Sequence, residues 1–66
     1  MYKYFKYKYS NSLYKHNHVN ALCYDTEIHG WLYSGVGIYN LERNDSFVPI
    51  AESELEPLIM LMELKK

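Results

Sequence analysis

An internal disulfide is excluded, because Cys23 is the chain's one cysteine. An unpaired cysteine also fits a reducing compartment better than a secreted disulfide framework. Long apolar runs are lacking too. The longest, at residues 58–62, is far short of the roughly 18 residues a transmembrane helix needs. Residues 1–9 alternate Lys with aromatics and lack the apolar stretch of a signal peptide, so a cytoplasmic location is expected. Arginine occurs once, at Arg43, and alanine twice, among many Tyr, Lys, Asn and Ile. That bias points to an AT-rich genome, such as that of a phage or other mobile element.

What the chain has instead is aromatic mass. Eight Tyr, two Phe and one Trp stand among 66 residues. A domain of this length buries only about 60% of the surface its unfolded chain exposes. Aromatic side chains, each able to bury roughly 150–250 Å², are the available substitute for disulfides or a metal. Self-association as a homodimer would serve the same end.

The net charge is −1 but it is segregated. Residues 1–24 carry Lys3, Lys6, Lys8 and Lys15 and no acid, while residues 25–66 carry eight acids against three bases. This implies a two-faced surface rather than the dense acidity of a DNA mimic.

The pattern is that of a mainly β domain spanning residues 1–66. Residues 2–9, Tyr-Lys-Tyr-Phe-Lys-Tyr-Lys-Tyr, read as a strand. Phe5, Tyr7 and Tyr9 share one face with Lys3, and Tyr2 and Tyr4 share the other with Lys6 and Lys8. Such a switch of aromatics between faces predicts a twist, a bulge or an exposed aromatic pair. Residues 10–12 read as a turn, the polar stretch 13–20 as a loop, and 20–28 as a second strand ending in a hairpin at His29-Gly30. Residues 31–41 predict a long strand bent at Gly35 and Gly37. A polar turn at 42–46 leads to a short strand at 47–50, with Pro49 at an edge or at the strand's end.

The last segment reads two ways. Ser53 and Glu56 match a helix capping box, yet Pro57 and the off-stripe Met60 and Leu64 speak against a clean amphipathic helix. The favoured expectation is one helical turn at 51–56 followed by a closing strand. This gives a small barrel or strongly bent antiparallel sheet of four or five strands. The alternative is a β-meander carrying a C-terminal helix over about 53–65.

A short strand with Val48, followed by Glu52-Ser53-Glu54-Leu55-Glu56-Pro57-Leu58, resembles the closing segment of SH3-like small β-barrels. The likeness covers about the last half of the chain and implies architecture alone, since that fold hosts many unrelated functions.

No catalytic grouping stands out. His16 and His18 with Cys23 or His29 do not make a recognised metal-ligand spacing, and a solvated polar loop explains them better. Cys23 lies in an apolar strand pattern that suits packing rather than nucleophilic attack. Glu52, Glu54 and Glu56 read as a solvated turn, in a chain expected to be too small to enclose a pocket of a few hundred Å³ around them. Gly35-Val36-Gly37 lacks the residues of a phosphate loop. The expectation is therefore a non-enzymatic protein with no metal, cofactor or small-molecule ligand.

The Tyr/Lys run is the one chemically suggestive feature. Tyr2, Lys3, Tyr4, Lys6, Lys8 and Lys15 form the candidate binding face. Aromatic anchors suit a protein partner, either a host protein or a second copy. Rings interleaved with ammonium groups also suit a single-stranded nucleic acid, though the scarcity of arginine weakens that alternative. Lysines on such a strand would equally protect a sheet edge from aggregation.

Overall fold

Lys3–Tyr7 forms β1, as its density of Tyr and Phe predicts. In the computed structural model, which describes residues 1–65, β1 is joined by β2 (Leu13–His16), β3 (Ala21–Asp25), β4 (Gly30–Tyr33) and β5 (Phe47–Ile50). All neighbours are antiparallel and the sheet order is β4-β3-β2-β1-β5. Among the described residues there are also two helices: α1 (Ile38–Arg43), and α2 (Leu55–Leu64) preceded by a 3₁₀ turn at Glu52–Glu54. The sheet is open, with β4 and β5 as its edges; it does not close into a barrel. β1 lies inside it, between β2 and β5, so its lysines are not the guard of an edge.

The stretch expected to be a loop contains β2. Its alternation is hidden because two polar residues, Lys15 and His16, occupy strand positions. The turn after it is built from Asn17, whose Oδ1 accepts the N–H groups of Val19 (3.0 Å) and Asn20 (2.8 Å). His18 takes a positive φ of 73° there. The next hairpin uses Asp25, whose Oδ1 accepts the Glu27 N–H at 2.7 Å, and a second positive φ at His29.

The long strand expected at 31–41 stops at Tyr33. Ser34 Oγ accepts the N–H of Val36 at 2.8 Å, which turns the chain out of the sheet. Ile38–Arg43 then coils into a helix, so that Leu41 and Val36 both reach the core formed by Phe5 and Phe47. Gly35 and Gly37 lie in this connection, where an added Cβ would meet nothing within 4 Å. They mark weak strand propensity rather than a bend within a strand.

At the C-terminus the helix replaces the expected closing strand. Pro57 is compatible because α2 starts only at Leu55. Its missing N–H falls among the donors that a first turn leaves unpaired, and the residue four before it belongs to the 3₁₀ turn. Leu55, Leu58, Ile59 and Met62 are half-buried at helical spacing, whereas Met60, Leu61 and Leu64 remain exposed on the other side.

Residues paired across the ladder share a face, which sorts the side chains. Phe5, Tyr7, Tyr14, Ala21 and Phe47 lie on the α1 side with Leu41. Tyr4, Leu13, Lys15, Leu22, Tyr24 and Trp31 lie on the other. The end of α2 is tied to that second face, since Glu63 contacts His29 and its charge raises the Tyr24 phenol pKa, after burial. No helix among the described residues is long and apolar enough to cross a membrane.

Candidate binding groove beside the N-terminal strand

The β1–β5 pairing sets Tyr4 beside Ile50 and Phe5 beside Pro49, and α1 closes over the same end of the sheet. The result is an open groove of about 530 Å³. Its lining combines apolar Phe5, Leu41, Phe47 and Ile50 with charged Lys3, Glu42 and Glu52, drawn from both faces at the β1–β5 end of the sheet. Tyr2 and Tyr4 also line it. A chain of this length therefore does hold a concavity of that size, with Glu52 at its margin, contrary to expectation. It forms because the short helix stands beside the sheet instead of continuing it as a strand.

Of the six candidate residues, Tyr2, Lys3 and Tyr4 are brought together at the groove. Lys6 and Lys8 sit further along β1 and beyond it. Lys15 stands across the ladder from Tyr4, outside the groove lining, its Nζ 4.2 Å from the centroid of the Tyr2 ring and 4.4 Å from that of Trp31. Burial pushes the Lys15 pKa down, while the two ring faces favour the cation. The Tyr4 hydroxyl donates to Glu52 Oε1 at 3.3 Å, and burial followed by the Glu52 charge raises its pKa.

Residues that were not candidates complete the site. His16 is wholly buried, against the expectation of a solvated loop. Its Nδ1 accepts the His18 N–H at 3.2 Å, which leaves the proton on Nε2, donated to Glu42 Oε2 at 2.6 Å. Lys3 Nζ lies 3.7 Å from the same oxygen. The His16 ring stacks on Phe5 with centroids 5.6 Å apart. Nothing in residue spacing announces this pair, which is 26 residues apart in sequence. It follows from the Lys3↔His16 register and the placement of α1.

A histidine held by a carboxylate resembles a catalytic base, but both nitrogens of His16 are occupied, so neither is left to take a proton from a nucleophile. Cys23 is half-buried, and burial raises its thiol pKa. Among the described residues no three His, Cys, Asp or Glu side chains are grouped so as to hold a metal ion.

The His16 hydrogen bond, more than the Lys3 charge, holds the Glu42 carboxyl below its ordinary value. A depressed folded-state pKa stabilises the fold above the unfolded value and is lost as pH falls through the folded one. Acid titration of folding is thus expected to show a loss of stability beginning below about pH 5. That part of the loss should be absent in Glu42→Gln. Identical pH profiles for the two proteins would contradict the assignment.

Comparison with protein-family models, with curated proteins and with solved structures finds no match for this chain.

Proposed function

We propose that this chain is a small non-enzymatic binding module, of the adaptor or inhibitor type, that holds a segment of a partner protein in the groove between β1, β5 and α1. The observation that carries the reading is the groove itself. An apolar lining is rimmed by one lysine and two glutamates within a domain whose His16 and Cys23 are both engaged in its own packing. Such a rim fits an apolar anchor side chain flanked by charges of both signs. The exposed Met60, Leu61 and Leu64 of α2 add apolar surface of the kind that protein contacts use.

A single-stranded nucleic acid is the second reading. Among the described residues Lys6 and Lys8 make no ion pair, and Tyr9 is 72% exposed beside Lys8. Against it, the ring of Tyr2 is already taken by Lys15, which reduces the stacking platform.

Affinity capture with the tagged protein separates the two. Lys3→Glu and Ile50→Arg, checked for retained folding, are each expected to reduce recovery of the protein partner at least tenfold. Lys6→Glu combined with Lys8→Glu should leave recovery unchanged. Recovery of nucleic acid that depends on Lys6 and Lys8 and ignores Ile50 would replace this reading by the second.

A further inference from the structure

The two edges of the sheet differ in what their backbones offer. At the β5 edge, Lys8 N–H donates to Ser46 O, so by alternation Val48 and Ile50 spend their groups on β1. Phe47 and Pro49 then face outward. The Phe47 N–H is bonded to Asn44 O at 3.0 Å, and Pro49 has no N–H. That edge has no free donor, and a further strand cannot extend the ladder there.

The β4 edge is the reverse case. Ser34 N–H donates to Ala21 O at 2.9 Å, so residues 30, 32 and 34 spend their groups on β3. Trp31 and Tyr33 therefore turn both N–H and C=O outward. The strand Gly30–Tyr33 has no charge and no proline, and Leu32 and Tyr33 are 47% and 79% exposed. Neither a charged side chain nor a proline, two usual protections of an edge strand, is present within it.

We propose that β4 is a strand-addition edge whose occupant is β4 of a second copy, paired antiparallel about a twofold axis at Leu32. The pattern is self-complementary. Outward groups two residues apart place Trp31 opposite Tyr33 of the second copy, and Tyr33 opposite its Trp31, closing four hydrogen bonds. Each Trp–Tyr pair shares one face of the joined sheet, continuing the row begun by Tyr24, whose ring meets Trp31 edge-on at 5.4 Å. The two Leu32 side chains meet on the other face. No like charges face each other within the paired strands. A partner strand of another protein would satisfy the same backbone groups, but the twofold match of ring to ring favours this chain itself. A four-residue edge buries less than a standard interface of roughly 1,200–2,000 Å², so the dimer is a weak one, filled at high concentration.

Sedimentation equilibrium over a concentration series up to about 1 mM tests this, with amide hydrogen exchange read in parallel. The expected result is a monomer–dimer equilibrium, with protection of the Trp31 and Tyr33 amides rising with concentration. Tyr33→Pro removes one outward donor and no internal hydrogen bond, and should weaken dimerisation at least tenfold. Leu32→Lys, which sets two ammonium groups face to face at the axis, should do the same should Tyr33→Pro disturb folding. Ile50→Arg, at the groove, should leave the dimer intact, so this inference and the groove reading fail separately. A monomer at every concentration, or a dimer indifferent to both β4 variants, would overturn it.

Discussion

Leu13→Ala is expected to lower the unfolding free energy by about 3 kcal/mol, the cost of emptying a buried leucine site that cannot collapse. Leu13 is wholly buried on the α2 side of the sheet, although its neighbours in sequence are polar. Were residues 13–20 a surface loop, the same substitution would cost less than about 0.5 kcal/mol. A core of this size supplies little more than about 3–5 kcal/mol in all, so the variant should keep only about 0–2 kcal/mol and be partly unfolded at 25 °C. Urea titration followed by tyrosine and tryptophan fluorescence reads the difference. A midpoint close to that of the parent would remove β2 from the sheet and α2 from above it.

The second large effect belongs to His16. Replacing it with alanine removes a stacked ring beside Phe5 and a hydrogen bond to a carboxylate, and should cost about 2–4 kcal/mol. Its partner discriminates between packing and polarity. In Glu42→Gln an amide oxygen can still accept the Nε2–H, so the loss should stay near 1 kcal/mol or below. In Glu42→Ala the buried Nε2–H is left without an acceptor, at a cost of about 1–3 kcal/mol. Equal losses in Gln and Ala variants would show that the carboxylate does not serve the histidine. The order expected in urea midpoints is parent, Glu42→Gln, Glu42→Ala, His16→Ala.

These two residues also show where local pattern stops being informative. The strands at 2–9 and 47–50 were legible because Tyr, Phe, Val and Ile crowd them and polar turns bound them. The strand at 20–28 was legible but overlong, since Asp25 closes it through its own side chain. β2 was hidden because His16 looks polar until a partner 26 residues away satisfies it. α1 was hidden by its apolar neighbours: Trp31, Leu32 and Tyr33 belong to a strand, while Val36 and Leu41 reach the core from a turn and a helix. At the C-terminus, Met60 and Leu64 spoiled the amphipathic stripe, and they are indeed exposed. The helix forms because Leu55, Leu58, Ile59 and Met62 suffice for one half-buried side.

The candidate face was legible in part for a similar reason. Tyr2, Lys3 and Tyr4 are contiguous in sequence and arrive together at the groove. Phe47, Ile50, Leu41 and Glu42 join them only through the β1–β5 register and the position of α1, which no local spacing encodes. Lys15 stands opposite Tyr4 because β2 is a strand paired with β1. Its ammonium is held between Tyr2 and Trp31 rather than presented beside Lys6 and Lys8.

The most direct test of the groove as the binding site is an amide chemical-shift map of labelled protein titrated with the captured partner. Perturbations concentrated at Lys3, Tyr4, Ile50 and Glu52, with Leu41 responding through the apolar lining, are the predicted result. Perturbations confined to Lys6, Lys8 and Tyr9, with the groove residues unmoved, would contradict it.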